Sequence, residues 1–387
     1  MSLALSCLRR RLSKSPNTII ARSSIRHNHD SSASSNTSLP AHAEWRSIFN
    51  PAKASVRDRV SLANPHTARL VAESFLTGDS ITAGSGKVVI EAFPGPGALS
   101  RALLELDSSR IRKLIILEDN EQYLEITLQP LEALDPRVKI IPMTGYAWEA
   151  YTYLEDEGFL DEVETVPWEN GVHPQLHFIT HIPHTIIGEQ IVAQLFRNIP
   201  ERTWLFKYGR VPMSFVLGQW IWDRVAAPPG TSNARCKVSV VAEATARTEY
   251  SLPPHNLLPY DDHFHPRTRG AQVNRPESRR LGHPLVAANV VPYERQIISP
   301  GHLDQWDYCL RRLFVRKSTP LKNAITTLGP GAESLLKTLT DQSLPPEQRV
   351  DIATQIRKLN VSDWALIIRA FDYWPFAPDV RLLCLLD

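Results

Sequence analysis

The sequence predicts an α/β protein with a doubly wound, largely parallel sheet, followed by a small all-helical C-terminal domain. Three observations support this class. Short apolar runs alternate with stretches in which apolar residues recur every three or four positions, a pattern typical of strands alternating with helices. A loop rich in glycine and proline follows the first of these runs. Beyond about residue 299, the apolar residues keep helical spacing with no strand pattern between them.

The composition is that of a folded protein without a dominant charge. The chain has 387 residues, 43% of them hydrophobic, and a formal net charge of +2. It can therefore bury a sizeable core, and no global field directs it to nucleic acid. No two cysteines have CxxC spacing, which disfavours a zinc ribbon or a disulfide framework. No run of roughly 18 apolar residues predicts a membrane span.

The N-terminus differs from the rest of the chain. Residues 1–29 contain six Arg or Lys residues, many serines and no acidic residue. Such a composition is typical of a mitochondrial presequence, and a disordered basic arm is the alternative. We predict a presequence and linker over residues 1–44, and localisation in the mitochondrial matrix.

The order of elements predicts the two folded parts. An α/β domain is expected over residues 45–298, with strands at 87–92, 113–117, 138–141, 176–182, 204–208, 237–250 and 285–291. Helices are expected between them, including 186–196 and 215–224. Residues 253–283 are rich in Pro, Arg and His and predict a long exposed basic loop. The helical domain is expected over 299–387, with helices at 310–315, 332–339, 349–359 and 364–371, the last capped by Ser362.

The glycine loop predicts a nucleoside site. Gly95 and Gly97 lie between a strand that ends near Glu91 and a helix, where backbone N–H groups face a ligand. Glu118 ends the next strand, 21 residues after Gly97. A carboxylate at that spacing suits a ribose diol, which donates two hydrogen bonds. The pattern does not distinguish S-adenosylmethionine (SAM) from NAD, and a turn that needs glycine for geometry alone is the alternative.

These residues resemble a known family. The segment Glu91–Ser100, EAFPGPGALS, is similar to the E-x-G-P-G-x-G-x-L-T motif of the rRNA adenine dimethyltransferases, and Glu118 matches their ribose-binding acid. Leu62-Ala63-Asn64-Pro65 is similar to an L-x-N-P segment of the fungal mitochondrial transcription factor B branch. The resemblance covers roughly residues 45–380. It implies a SAM-methyltransferase (Rossmann-like) fold, with SAM as the cofactor held by Glu91, Gly95, Gly97 and Glu118.

The departures from the family pattern fall on functional positions. Phe93 replaces a motif glycine and is expected to crowd the methionine end of SAM. In the family, an acid after the third strand accepts a hydrogen bond from the amino group of the adenine of SAM. The matching segment here, 144–148, offers Tyr146 instead. The catalytic tetrapeptide N-L-P-Y corresponds to His181-Ile182-Pro183-His184, so Pro183 is retained and both functional ends differ.

The altered tetrapeptide weakens the case for catalysis. Methylation of adenine N6 requires acceptors for both amine hydrogens and a ring that stacks on the flipped base. A neutral histidine accepts only one hydrogen bond, so His181 is a poor substitute for Asn, while His184 can still stack. His177, His181 and His184 also suggest a metal site. No Cys or carboxylate lies near them in sequence, so we favour polar residues at a strand end and predict no metal.

Two basic segments are candidates for phosphate contacts. The first lies in the long loop and includes Arg267, Arg269, Arg279 and Arg280, together with His263 and His265. The second, on a predicted helix, includes Arg311 and Arg312. Clustered cations suit a nucleic-acid backbone, and an ordinary solvated surface is the alternative.

The resemblance and the altered tetrapeptide together favour one function over two others. The first hypothesis is a mitochondrial transcription initiation factor that binds mitochondrial RNA polymerase and promoter DNA. The second is an active, SAM-dependent mitochondrial rRNA adenine dimethyltransferase acting on rRNA. The third is a non-catalytic ribosome-assembly factor. Weak or absent SAM binding is expected in the first.

Overall fold

The computed structural model describes residues 39–50, 56, 58–77, 86–230, 233–268 and 281–380. Most of the predicted presequence therefore lies outside the described residues. The described part of the chain contains nine strands: β1 Ser61–Leu62, β2 Lys87–Ala92, β3 Ile111–Leu117, β4 Val138–Ile141, β5 Leu176–His181, β6 Met213–Gly218, β7 Ala246–Tyr250, β8 Phe264–His265 and β9 Leu285–Pro292.

Seven strands form one mixed sheet in the order β4-β3-β2-β5-β6-β9-β7. Strands β2 to β6 pair in parallel, and β9 pairs antiparallel with both β6 and β7. Consecutive strands lie to one side of β2 and later strands to the other, so the strand order reverses between β2 and β5. In doubly wound sheets a ligand crevice opens at such a point, outside the carboxyl ends of the strands. The predicted fold class is confirmed.

Helices cover both faces of the sheet, and this explains the apolar strands. Every residue of β2, β5 and β6 is buried, as expected of parallel strands packed on both sides. The α-helices are Trp45–Ile48, Pro65–Phe75, Ala98–Leu104, Glu121–Tyr123, Gln129–Leu134, Trp148–Asp156, Ile186–Glu201, Gln219–Val225, Lys237–Thr245, Tyr260–His263, Leu303–Phe314, Leu321–Ala324, Leu335–Leu339 and Val361–Asp372.

Shorter helical turns complete the chain. A π-helical turn, Leu124–Leu128, precedes the helix Gln129–Leu134, which carries Pro130 in its first turn. The 3-10 turns are His42–Glu44, Trp168–Asn170, Trp204–Tyr208, Pro254–Leu257, Ile325–Leu328, Ala332–Ser334, Pro346–Gln348 and Ile356–Lys358.

The strand predicted at 204–208 is wrong. Trp204–Tyr208 is a 3-10 turn, and the fifth parallel strand is β6, which takes the first part of the helix predicted at 215–224. Trp204 has a φ of +55° and packs edge-on against Phe178, 4.8 Å between ring centroids. A short apolar run does not reveal whether it is a strand or a buried turn, so periodicity could not decide here.

The strand predicted at 237–250 is half wrong. Lys237–Thr245 is a helix, and only Ala246–Tyr250 is a strand. The Ser239 hydroxyl accepts from the Cys236 N–H at 3.0 Å and thereby caps the helix. The valines of this segment favour strands, but the helix is buried against Ile186–Glu201 and Leu303–Phe314, and tertiary packing overrides local propensity.

The C-terminal segment is helical, but its boundaries differ from the prediction. The helix predicted at 310–315 begins at Leu303, and the helix predicted at 349–359 is only the 3-10 turn Ile356–Lys358. Asn360, not Ser362, caps the last helix, because its side chain accepts from the Asp363 N–H at 2.9 Å. One apolar cluster joins these helices to the sheet, so the domain boundary near residue 299 stays a prediction.

Within the loop predicted at 253–283, the described residues include short helices, a strand and buried side chains. Leu257, Tyr260 and Phe264 are buried, and β8 pairs antiparallel with β1. Asn64 caps the helix Pro65–Phe75 and binds the same segment, through the Asp262 carbonyl at 3.1 Å. Among the described helices, none is both long and apolar enough to cross a bilayer.

Candidate cofactor and base-binding site

The candidate site lies where β2, β3 and β5 end. Pairing of Ala92 with both Leu117 and Thr180 aligns the three strands, so their carboxyl ends open at one edge of the sheet. The structure therefore brings Glu91, the glycine loop, Glu118 and His181 to the same edge of the sheet, and their binding roles stay predictions. This edge is the crevice at the reversal of strand order, where doubly wound folds bind ligands.

The loop after β2 requires glycine for conformation and for packing. Gly95 and Gly97 have φ values of +62° and +85°, which L side chains rarely adopt. A Cβ atom at Gly95 would lie 1.9 Å from the Ser61 hydroxyl oxygen. Phe93 also has a positive φ, +59°, although it carries a bulky side chain. The chain accepts backbone strain at the position where the family has glycine.

Glu118 is fully buried and already hydrogen-bonded through both oxygens. Its Oε1 accepts from the backbone N–H groups of Asp119 and Asn120, each at 3.0 Å, and its Oε2 accepts from the Gly95 N–H at 3.3 Å. Arg59 Nη2 donates to Oε1 at 2.7 Å and to Oε2 at 2.5 Å. The residue predicted to bind a ribose is therefore held by the glycine loop and by a guanidinium group.

Arg59 itself is nearly enclosed. Its Nη1 donates to Asp119 Oδ1 at 3.1 Å, and its guanidinium carbon lies 4.4 Å from the centre of the Phe93 ring. Burial acts to lower the pKa of Arg59, but the carboxylates of Glu118 and Asp119 outweigh it and raise that pKa. The guanidinium therefore stays charged inside the site.

Glu91 is a second buried carboxylate at the same edge. It is fully buried, and neither of its oxygens has a hydrogen-bond partner among the described residues. Burial raises its pKa to about 7, and the negative charge of the nearby Glu118 adds to the shift. A carboxyl that is half neutral near pH 7 is available to a polar or cationic ligand.

The altered tetrapeptide lies on the other side of the same crevice. His181 is 2% exposed, and neither ring nitrogen has a hydrogen-bond partner in the described part of the chain. Burial and the nearby Arg59 charge lower its pKa to about 3, so the ring is neutral at physiological pH. It offers one acceptor, as the sequence analysis expected, where two amine hydrogens would need acceptance.

His184 and Pro183 complete the loop. The His184 N–H donates to the Asp58 carbonyl at 3.2 Å, and its ring meets Trp220 edge-on at 6.1 Å. Pro183 is packed so closely on the following helix that a Cβ at Gly188 would lie 1.9 Å from the Pro183 carbonyl oxygen. His177, earlier on the same strand, instead bonds the Ser214 hydroxyl at 2.8 Å. Among the described residues, no group of three potential metal ligands comes together.

An aromatic cavity of about 300 Å³ opens beside the tetrapeptide strand. Tyr146 and Trp148 lie at its mouth with 47% and 43% of their surface exposed, and Phe93 and Tyr151 line its interior. The Thr180 hydroxyl also lines it and has no hydrogen-bond partner among the described residues. Exposed rings around a polar hydroxyl can stack and orient a planar heterocycle.

The structure describes only some of the residues predicted to contact phosphates. Arg269, Arg279 and Arg280 lie outside the described residues. Arg267 donates to His42 Nδ1 at 3.0 Å, which assumes that this nitrogen accepts. Arg311 and Arg312 are exposed on the last turn of the helix Leu303–Phe314, beside the exposed Val315. His265 cannot serve as a surface cation, because it is buried and burial lowers its pKa to about 4.

Sequence patterns did not single out Arg59 or the role of Trp148. Arg59 lies 59 residues before Glu118 and follows no motif, so only the fold brings the two together. Trp148 was noted only as the end of the segment 144–148. An aromatic residue just after a predicted strand end is a usable signal, because loops at that edge of the sheet carry ligand contacts.

Comparison with known proteins gives a consistent result. A family model described as ribosomal RNA adenine dimethylase matches residues 66–372. The chain is 23% identical over 305 residues to mitochondrial transcription factor 1 of Lachancea kluyveri, covering 76% of this chain and 83% of that protein. It is 26% identical to mitochondrial transcription factor 1 of Saccharomyces paradoxus, covering 76% and 82%. It is 26% identical to mitochondrial dimethyladenosine transferase 1 of Caenorhabditis elegans, covering 51% and 54%.

Proposed function

The chain belongs to the ribosomal RNA adenine dimethylase family, and we propose that it acts as a mitochondrial transcription initiation factor rather than as a methyltransferase. In this role it would bind mitochondrial RNA polymerase and help to open promoter DNA. The relatives named mitochondrial transcription factor 1, which align over three quarters of this chain, support the proposal. The relative named dimethyladenosine transferase supports the alternative of an active enzyme.

One observation carries the proposal. The position that must accept the amine hydrogens of adenine is the neutral, buried His181, whereas the neighbouring aromatic cavity remains open with Tyr146 and Trp148 at its mouth. The first feature removes an interaction that methyl transfer needs, because only one acceptor remains. The second preserves a surface on which an unstacked base can bind. Promoter opening requires a surface that binds an unstacked base, and it does not require methyl transfer.

The proposal extends to the cofactor. Glu91, Gly95, Gly97 and Glu118 are the residues that would hold SAM, as the family resemblance implies. The strained Phe93 and the occupied oxygens of Glu118 support weak or absent SAM binding in this chain. Pro183 and His184 would then have a structural role, in which the His184 backbone binds the segment that carries Arg59.

Nucleic-acid contacts and localisation are also part of the proposal. Arg311 and Arg312 face solvent on the helical C-terminal part, and Arg267, Arg269, Arg279 and Arg280 belong to the basic loop. We assign both segments to phosphate contacts with promoter DNA. The Arg- and Ser-rich residues 1–29 would direct the protein to the mitochondrial matrix.

Transcription and methyl transfer, measured on the same proteins, test the proposed function. Wild type and His181→Ala are added to mitochondrial RNA polymerase on a promoter template, and tritium transfer from SAM to a small-subunit rRNA fragment is measured in parallel. We expect promoter-dependent initiation from both proteins and methyl transfer from neither. Robust wild-type methyl transfer that His181→Ala abolishes, a loss of about 10²-fold or more, would establish the dimethyltransferase instead.

A restoration variant completes this test. His181→Asn with His184→Tyr rebuilds the ends of the family tetrapeptide. We expect it to remain inactive as a methyltransferase, because Phe93 and the occupied Glu118 still obstruct the cofactor. Strong methyl transfer by this variant would place the whole loss of activity in the tetrapeptide.

A further inference from the structure

Glu118 has no unused acceptor position suited to a ribose. A ribose diol binds a carboxylate by donating two hydrogen bonds to it. In this chain the two oxygens already accept three backbone N–H groups, and one Arg59 nitrogen bridges both of them. A diol could approach only if the guanidinium moved away. That move would leave a carboxylate with no exposed surface beside a second buried acid, Glu91.

We infer that Arg59 is an intramolecular occupant of the cofactor site, which closes the ribose end of that site to SAM and to other nucleosides. The inference rests on the proposed assignment of Glu118 as the former ribose-binding acid. It goes further by identifying a group of this chain that takes the place of the ligand.

The chemistry of the guanidinium suits this role. It is planar, permanently charged and carries several N–H donors in one plane. It donates to both Glu118 oxygens, as a diol would, and it lies over the Phe93 ring at 4.4 Å. Phe93, the residue that replaces a family glycine, therefore supplies the face on which the occupant rests. The departure at position 93 and the buried guanidinium of Arg59 therefore support each other.

The occupant is anchored at its backbone. The Asp58 carbonyl accepts from the His184 N–H at 3.2 Å, so the segment that carries Arg59 is bound to the altered tetrapeptide. Val60 is buried, and Ser61 begins strand β1, which pairs with β8. The Ser61 hydroxyl also fills the space over Gly95. Several contacts hold Arg59 in place, which distinguishes it from a mobile surface arginine.

The charge of Arg59 also acts on the altered tetrapeptide. The charge of Arg59 is one of the two causes that lower the pKa of His181. Arg59 therefore binds the acid matched to ribose binding, and the residue before it contacts the altered tetrapeptide through the Asp58 carbonyl. The simpler interpretation, an ion pair that leaves room for SAM beside it, makes a different prediction for ligand binding.

Three proteins separate these interpretations: wild type, Arg59→Ala and the control Arg69→Ala, which removes an exposed ion pair with Glu105. Binding of S-adenosylhomocysteine is measured by calorimetry, and melting temperature is measured with and without ethylguanidinium. Wild type and control should bind no S-adenosylhomocysteine up to about 1 mM. Arg59→Ala should melt roughly 5–10 °C lower, because a buried carboxylate loses its partner. The affinity of Arg59→Ala for S-adenosylhomocysteine should be at least about 10-fold higher than that of wild type.

Ethylguanidinium replaces the side-chain atoms that Arg59→Ala removes. At millimolar concentration it should raise the melting temperature of Arg59→Ala alone and compete with S-adenosylhomocysteine. The inference fails if folded Arg59→Ala binds neither compound. It also fails if wild type binds S-adenosylhomocysteine as tightly as the variant does. Should Arg59→Ala not fold, Arg59→Met, which keeps most of the apolar stem but removes every N–H donor, takes its place with the same expected gain.

Promoter-dependent initiation, measured on the wild-type protein, separates this inference from the proposed function. Initiation by a wild type that binds S-adenosylhomocysteine would overturn the inference and leave the proposed function standing. The inference is supported if wild type does not bind S-adenosylhomocysteine and Arg59→Ala does. This holds even if no promoter-dependent initiation is found. In that last case the proposed function alone fails.

Discussion

The two sides of the candidate site have diverged in opposite ways. At the ribose end, Glu118 is buried and saturated, and Arg59 fills the space next to Phe93. At the aromatic end, where the resemblance places a contact to the adenine of SAM, a cavity of about 300 Å³ remains open behind Tyr146 and Trp148. One side is filled by the chain itself, whereas the other is open to a ligand.

This difference distinguishes the requirements of methyl transfer from those of ligand binding alone. A methyltransferase needs both sides at once, because the methyl donor and the amine must meet in line. A protein that only captures an unstacked base needs the aromatic side, whereas an empty pocket that holds two buried acids destabilises the fold. Filling the cofactor side with a guanidinium neutralises one of those acids. The difference between the two ends therefore fits the proposed binding of a base without methyl transfer.

The largest effect is expected from Glu91, the acid that Arg59 does not neutralise. Its pKa is raised from 4.5 to about 7 in the folded protein, so the folded state binds more protons than the unfolded state between these values. Stability is therefore lost as pH rises through that window. Glu91→Gln should remove this loss and gain about 2–3 kcal/mol relative to wild type between pH 5 and pH 8.

Chemical denaturation at pH 5 and pH 8 measures this gain. The exposed Glu125→Gln is the control and should show no such difference. His177 and His181, whose pKa values burial lowers to about 3, make stability rise with pH up to about 6.5 in every variant, so they cancel in the comparison. If Glu91→Gln changes the free energy of unfolding equally at pH 5 and pH 8, then burial does not raise the pKa of this carboxyl.

The next effect concerns the open side. Tyr146→Ala with Trp148→Ala should weaken binding of single-stranded promoter DNA by about 5- to 150-fold, since stacking of one base contributes roughly 1–3 kcal/mol. Fluorescence anisotropy with a labelled oligonucleotide measures the affinity. Tyr153→Ala is the matched control, because Tyr153 is exposed on the same helix, Trp148–Asp156, but does not line the cavity. An equal decrease in the control would contradict a specific base-binding role.

The smallest effect is expected away from both sides of the site. Charge reversal of Arg311 and Arg312 should reduce the salt dependence of duplex binding, by about 0.7–0.9 in the log–log slope for each phosphate that is no longer neutralised. The measurement is a titration of affinity against salt concentration. The exposed Lys337→Glu serves as the control on another helix. Unchanged slopes would identify Arg311 and Arg312 as ordinary solvated residues.

The sequence predicted the site where the signal was local. The strand 87–92, the glycine loop and the acid after the next strand follow one another within about 30 residues, and the structure places them together. Segments with ambiguous local signals were misassigned. The apolar residues 204–208 and the valines of 237–245 fit a strand pattern, but they form a buried turn and a helix because of the elements packed around them.

By itself, then, the sequence determined the fold class, the edge of the sheet that carries the candidate site and the altered ends of the family tetrapeptide. These depend on periodicity, on glycine at positive φ and on residue identity, all of which are local properties. The tertiary structure decided that Arg59 meets Glu118 across 59 residues and that Phe178 and Leu195 line a cavity behind Tyr146 and Trp148. Both outcomes depend on contacts between distant segments, because burial and charge pairing are set by what packs nearby and not by neighbours in the chain.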